Sequence, residues 1–349
     1  MTPQGLHRLR IADLVVELPA DLELPDEAVL EANLRPFVAV SGPEEGAADI
    51  VVDCAAGPVD ERELPQGAFR VDVNRVGATA ADDPIVKTYW LWEGEGAEGG
   101  EDRLTAETLR TLRETLRKPG KKSEAPKIHV RGALKTALEV VAGIHLGLAH
   151  LLPKRDGLLL HASAVRAADS AFVFAGPAES GKSTAASGFS GGTVLADERV
   201  AVRAPSPQPP FRPEFAGSPF PVPCSPVSRP DPPPVPSIRS SWLAYPVPMW
   251  GGKYSPVVAD VVPLAMVVVV RKGAPLAASV LPAAAGMSRL ARAVVHNHYD
   301  GARADWVLGI LARLATEVPV VELSYGLGES FADVLVGRLD AARRGEASC

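Results

Sequence analysis

Residues 176–183 read GPAESGKS and fit G-x-x-x-x-G-K-[ST], a spacing with a mechanical reason behind it. Glycines at both ends let the backbone of Gly176, Pro177, Ala178, Glu179, Ser180 and Gly181 wrap a chain of phosphates, with N–H groups turned inward onto the anionic oxygens. Lys182 would then reach the β- and γ-phosphates, and Ser183 would offer its hydroxyl to Mg²⁺. Thr184 is a less favoured second hydroxyl ligand. The bland alternative is a glycine-rich surface turn. Against it stand the apolar segment AFVFA just before the loop and a helix-compatible segment beginning near Lys182, whose positive N-terminal end would face the same anion.

The next acidic pair, Asp197–Glu198, follows the apolar run Val194-Leu195-Ala196. Carboxylates leaving a buried strand beside a phosphate loop can hold a metal, directly or through water, and one can accept a proton from an incoming hydroxyl. Asp also ends strands for no catalytic reason; closeness to the loop helix favours the functional reading. His161 stands inside LLLHASAV, on a strand that the RAADS turn pairs with the strand feeding the loop. A lone strand histidine is commonly structural; the hairpin brings this one toward the phosphates, where it would orient or tune Asp197.

These residues need elements to hold them. From Arg10 to Trp92 short apolar runs alternate with Pro, Gly, Asp and Glu clusters, which reads as mostly β. In FRVDVNRV, Phe69, Val71 and Val73 face one way while Arg70, Asp72 and Asn74 face the other. Residues 93–102 form an acidic, glycine-rich loop, and leucines 104, 109, 112 and 116 are spaced as a helix. The apolar stretch from Arg131 to Leu152 predicts one long helix. Strand, turn, strand, loop and helix follow, and TVLA forms a strand before Asp197. Residues 204–236 carry so much proline that neither helix nor central strand can persist. VVPLAMVVVV reads as a buried strand, then come helices around 287–295 and 306–315, the strand VPVVEL and a closing helix after Glu329. The expectation is a β-rich N-terminal domain with a helix over residues 1–125 and an α/β domain over 126–349.

Composition narrows the partners. The chain of 349 residues carries 36 basic and 42 acidic side chains, a net charge of −6, which speaks against gripping nucleic acid or an anionic membrane. Its longest apolar run falls well short of the roughly 20 residues of a membrane span and contains Pro263. The start of the sequence has no uninterrupted apolar signal core, so the expected location is the cytoplasm. Cys54, Cys224 and Cys349 lack paired spacing and are expected to be free thiols.

Weaker signals surround these. Lys253-Tyr254 or Arg271-Lys272 can place a cation near phosphates, or can be a surface turn and a solvated strand end. His296 and His298 resemble a metal pair without further ligands, and a helix terminus suits them better. Trp242, Tyr245 and Trp250 can line an acceptor groove or pin the proline-rich loop to the core.

Taken together, HASAV, GPAESGKST and LADE resemble the catalytic domain of the HPr serine kinase/phosphorylase family and its diverged HPr-kinase-like relatives, over roughly residues 158–202. By that resemblance His161 matches the active-site histidine, and Gly176, Gly181, Lys182 and Ser183 match the phosphate loop. Asp197 matches the general base toward the substrate serine, and Glu198 stands where the family has a second aspartate. The resemblance implies a kinase domain related to phosphoenolpyruvate carboxykinase, ATP and Mg²⁺ as cofactors, and a protein or peptide serine as acceptor. Diverged relatives phosphorylate a serine of a ribosomally made precursor peptide, and the proline-rich segment is compatible with such a changed acceptor. True HPr kinases are hexamers, which leaves a homo-oligomer open here. In the combined expectation Lys182 and the loop hold the nucleotide, Ser183 and Glu198 organise Mg²⁺, and Asp197 takes the hydroxyl proton with His161 behind it. A small-molecule kinase and a non-catalytic, nucleotide-dependent binding or scaffold protein are the alternatives.

Overall fold

The computed structural model describes residues 8–19, 27–38, 48–54, 62, 64, 68–74, 86–93, 128–132, 136–204, 242–248, 259–272, 275–295, 301–326 and 330–343. The expected helix over 104–117, the acidic loop over 93–102 beyond its first residue, and all but the first residue of the proline-rich segment lie outside them. Two mixed sheets emerge, a smaller N-terminal one and a larger one.

β1 (Arg8–Ile11) and β2 (Leu14–Glu17) form a hairpin closed by Ala12 and Asp13. Both turn residues are left-handed, with φ of 52° and 61°, a backbone twist that matches the flanking strands. After α1 (Glu27–Leu34) come β3 (Ile50–Cys54), β4 (Phe69–Asn74), β5 (Val86–Glu93) and β6 (Ile128–Gly132). The strands stand in the order β1-β2-β3-β6-β5-β4, with β3 parallel to both of its neighbours. The alternating segment at residue 69 is a strand, paired antiparallel with β5 along its whole length.

The helix expected from Arg131 begins later, as α2 (Ala137–Leu151). Ile128 to Gly132 alternates buried and half-buried residues and is drawn into the sheet between β3 and β5. Thr136 then caps the helix, its Oγ1 accepting from the Glu139 N–H at 3.4 Å. α2 lies close on the small sheet: a Cβ at Gly147 would fall 2.6 Å from Cγ2 of Ile50. The division drawn at residue 125 thus passes just ahead of a strand and a helix that pack with the first sheet.

The larger sheet uses β7 (Gly157–Leu160), β8 (Ala162–Ala167), β9 (Ser170–Ala175), β10 (Thr193–Ala196), β11 (Val200–Arg203), β12 (Leu243–Pro246), β13 (Val262–Lys272), β14 (Ala277–Val280) and β15 (Val320–Tyr325). Its helices are α3 (Lys182–Gly188), α4 (Ala283–Ala291), α5 (Gly301–Glu317) and α6 (Ala332–Arg343). β13 is its spine and is buried from Leu264 to Val270, as its unbroken apolar run requires. β9 and β15 run parallel to β13, while β12 meets its N-terminal end antiparallel. The strand order is β10-β8-β9-β13-β12-β11-β7, so the consecutive strands β7 and β8 sit far apart in the order, and the chain crosses between them at His161.

Alternation along these strands builds separate cores. Leu159, Ala201, Tyr245 and Val247 face α2 and the small sheet. Leu158, Leu160, Val200 and Val202 point the other way, toward Leu290 of α4 and Ile310, Leu311 and Leu314 of α5. A third core gathers Phe172, Phe174, Phe189 and Phe331 between β9, α3 and α6. The two sheets are also tied by polar groups. Arg203, nearly buried, donates to the Ala12 carbonyl at 2.6 Å and to Asp13 Oδ2 at 3.2 Å. Tyr245 donates to the same Oδ2 at 2.5 Å, and Arg155 reaches Asp49 at 2.9 Å. No helix among the described residues is long and apolar enough to cross a membrane.

Candidate functional site

The hairpin of β8 and β9 delivers the glycine-rich loop expected to hold phosphates. β9 ends at Ala175, the loop turns through residues 177–181, and α3 begins at Lys182, seven residues long. Glu179 and Gly181 are left-handed, with φ of 61° and 96°. Gly181 needs to be glycine for a second reason: a Cβ there would lie 2.9 Å from the Tyr325 hydroxyl and 3.2 Å from Lys272 Cε. Tyr325 donates its hydroxyl to the Gly181 carbonyl at 2.9 Å, and burial raises its pKa, so it stays a neutral donor. Pro177, Ala178 and Glu179 are exposed.

Lys182 is only 6% exposed and folds back over the loop, its Nζ donating to the Pro177 carbonyl at 2.7 Å. Burial and the nearby Arg199 lower its pKa, while Asp197 and Glu198 act in the opposite sense. Among the described residues the Ser180 hydroxyl is buried without a hydrogen-bond partner, and a Cβ at Gly176 would stand 2.7 Å from it. A lysine satisfied by the loop's own carbonyl and an orphaned hydroxyl in a tight cradle are what an anion-binding loop holds in reserve for phosphate oxygens.

Asp197 is 2% exposed. Its Oδ1 accepts from Ser163 at 2.5 Å, from Ser183 at 2.7 Å and from the Glu198 N–H at 3.1 Å. All three bonds fall on one oxygen, so Oδ2 is left for a proton or a cation. The pairing joins the end of the loop to the end of β10. Thr184, by contrast, is exposed, and its carbonyl accepts from Ser187.

Glu198 is left-handed at φ 69° and exposed, while the Ser183 hydroxyl is on Asp197. The surrounding protein raises the Glu198 carboxyl pKa, against the opposing pull of Arg199. Among the described residues no group of three or more His, Cys, Asp or Glu is placed to hold a metal ion. Mg²⁺ does not need one, since it is commonly held by one or two protein groups together with substrate phosphates. Ser183 and Asp197, in contact, fit that limited donor set, with Glu198 alongside.

His161 sits at the bend between β7 and β8, half-buried, its backbone N–H donated to the Ala293 carbonyl at 2.6 Å. Burial, then Lys182 and Arg199, push its pKa down to about 4 despite Asp197, so at neutral pH it is an uncharged imidazole beside the acidic pair.

The remaining expected residues divide. Lys272 lies against Gly181, while Arg271, one residue earlier, points away to Glu322 at 3.0 Å. Trp242 is fully buried, its indole N–H on Glu317 at 2.7 Å, and Tyr245 is bound to Asp13, so both pin the core. Trp250, Lys253, Tyr254, His296 and His298 lie outside the described residues. Two residues had no role in the sequence reading. Ser163 is a lone hydroxyl in the apolar run Ala162–Val165, two positions beyond His161, and that pattern was its signal. Arg199 follows the acidic pair directly, and its placement depends on cross-strand register. No protein-family model matches the chain, and no curated protein matches it either.

Proposed function

We propose that the chain is an ATP- and Mg²⁺-dependent kinase of the HPr-kinase-like kind, transferring the γ-phosphoryl group to a serine hydroxyl of a protein or peptide. The observation that carries the reading is the direct hydrogen bond from Ser183, at the end of the phosphate loop, to the buried Asp197. It couples the residues that phosphoryl transfer needs together, one for the metal and one for the proton. The loop strand's antiparallel partner β8, entered at His161, supports the HPr-kinase-like order of a histidine-bearing strand before the loop and a carboxylate pair after it.

In this mechanism the loop amides and Lys182 bind the phosphates, with Lys182 exchanging the Pro177 carbonyl for phosphate oxygens. Ser183 and Glu198 would hold Mg²⁺, which would supply charge neutralisation on the phosphates. Asp197 Oδ2 accepts the serine proton while the serine oxygen forms its bond to the γ-phosphorus and the bond from that phosphorus to the bridging oxygen of ADP breaks. Oδ1 keeps its two serine donors and fixes the carboxylate plane. His161, uncharged, holds its place beside Asp197 without competing for the proton. The serine acceptor rests on the family resemblance.

The test is to incubate the protein, Mg²⁺ and γ-labelled ATP with size-fractionated extract of the host, beside Asp197→Ala and Lys182→Ala. Label on a polypeptide that is lost with Asp197→Ala, while nucleotide still binds, is the expected result. Label on a small molecule would replace the acceptor class. ATP binding with no mutant-sensitive label in any fraction would make the chain a nucleotide-dependent binding protein, and Lys182→Ala with unchanged nucleotide affinity would refute the loop assignment.

A further inference from the structure

The antiparallel ladder between β11 and β7 pairs Val200 with Leu160 and Ala201 with Leu159. It continues past the strand ends, since the Ala162 N–H donates to the Glu198 carbonyl at 3.2 Å. Arg199 is therefore the residue directly across from His161, and the two side chains leave the sheet on the same face. That face is the one on which Leu159 and Ala201 pack toward α2. The position is set by backbone register, with the left-handed Glu198 turning the chain into it.

Arg199 is half-buried, and its one side-chain hydrogen bond among the described residues goes to the neighbouring Glu198 carbonyl, Nη1 to O at 2.9 Å. A guanidinium has five N–H donors in a rigid fork. Among the described residues it makes no ion pair with a carboxylate, although Arg155, Arg166, Arg203, Arg271, Arg289 and Arg313 all do. Its charge acts on Lys182, His161 and His145, lowering the basicity of each. A sheltered cation with spare planar donors, directly across from a neutral histidine and within electrostatic reach of Lys182, has the chemistry of a tetrahedral-oxyanion ligand.

We propose that Arg199 binds the γ-phosphoryl group itself, opposite Lys182, and so reads triphosphate against diphosphate. This rests on the kinase reading and gives it a further catalytic residue. Lys182 and the loop grip the phosphate chain along its length. Arg199, on a different element, contacts only the terminal group and stabilises the charge spread over its oxygens during transfer.

The experiment measures the affinity of the full chain with Mg²⁺ for ADP and for a non-hydrolysable ATP analogue with an imido β,γ-bridge, by calorimetry, in wild type, Arg199→Gln and Arg199→Lys. Arg199→Gln should weaken the triphosphate analogue by about tenfold to a hundredfold, the worth of a charged hydrogen-bonded pair, and leave ADP within about twofold. Arg199→Lys should recover part of the loss, since it keeps the charge and loses the fork. Equal affinities for the analogue in wild type and Arg199→Gln would overturn the assignment while leaving the kinase reading intact. So would a parallel loss for both nucleotides, which marks a distorted loop. Wild type binding neither nucleotide would overturn the kinase reading, and this one with it.

Discussion

Ser163 and Ser183, one on the hairpin strand before the phosphate loop and one at its end, donate to the same oxygen, Oδ1 of Asp197, at 2.5 and 2.7 Å. The carboxylate is thereby fixed from two sides, and only one of its donors belongs to the loop. In the proposed reaction Ser183 has a second task, toward the metal. Ser163 has none there, and its hydroxyl serves to hold the carboxylate plane.

Removing that donor separates positioning from binding. Ser163→Ala should lower kcat for phosphoryl transfer by about tenfold, the cost of one buried hydrogen bond to a charged group, and leave the KM for nucleotide within about twofold. Steady-state kinetics over a range of ATP concentrations check this. An unchanged kcat would show that Ser183 alone sets the orientation.

How far the sequence announced this arrangement follows from which contacts are local. Gly176, Gly181, Lys182 and Ser183 lie close together in the chain, so their spacing alone was enough to predict the loop that leads into α3. Asp197 was legible as a carboxylate at the end of a buried run, and the structure puts it against Ser183 at the end of that loop. Ser163 and Arg199 were not legible, because their positions come from pairings between strands whose order no local pattern encodes: β10 on β8, and β11 on β7. The same reason explains α2. The apolar periodicity from Arg131 suits a helix, and only the place open between β3 and β5 makes residues 128–132 a strand. Trp242 and Tyr245 offered groove or core equally by residue type, and their partners Glu317 and Asp13, remote in sequence, put them in the core.

The two uncharged histidines give the fold a pH dependence with a fixed sign. His161 and His145 both have pKa values pushed down from 6.5 to about 4, chiefly by burial; for His145, Arg199 adds to this and the hydrogen bond to the Pro248 carbonyl opposes it. Between those limits the unfolded chain binds more protons than the folded one. Stability from the neutral rings is complete above pH 6.5 and is lost as pH falls toward 4. Wild type should therefore lose stability between pH 7 and pH 5, and His145→Gln, which keeps a donor for the Pro248 carbonyl, should lose on the order of 1–2 kcal/mol less. Urea unfolding at the two pH values measures it, and equal losses in both proteins would mean that His145 titrates normally.

Asp13 concentrates the attachment of the small sheet to the large one. Its Oδ2 accepts from Tyr245 on β12 and from Arg203 on β11, and it holds a left-handed turn position at the same time. Asp13→Ala leaves a nearly buried guanidinium with only the Ala12 and Arg155 carbonyls, strips the Tyr245 hydroxyl of its acceptor, and puts alanine at φ 61°. Removing one partner of a buried ion pair costs about 3–5 kcal/mol, and the partial exposure of Asp13 brings the expected loss to about 2–4 kcal/mol. Asp13→Asn tolerates the left-handed backbone and keeps an acceptor oxygen, so about half of that loss should be recovered. Urea midpoints of the three proteins test the order. The glycine-rich loop is carried by β9 and α3, and β13 stands between β9 and the strands β12 and β11 that hold the turn's partners, so nucleotide affinity of the folded Asp13→Ala protein should match wild type. A parallel loss of affinity would show instead that the attachment reaches the site through β11 and Arg199.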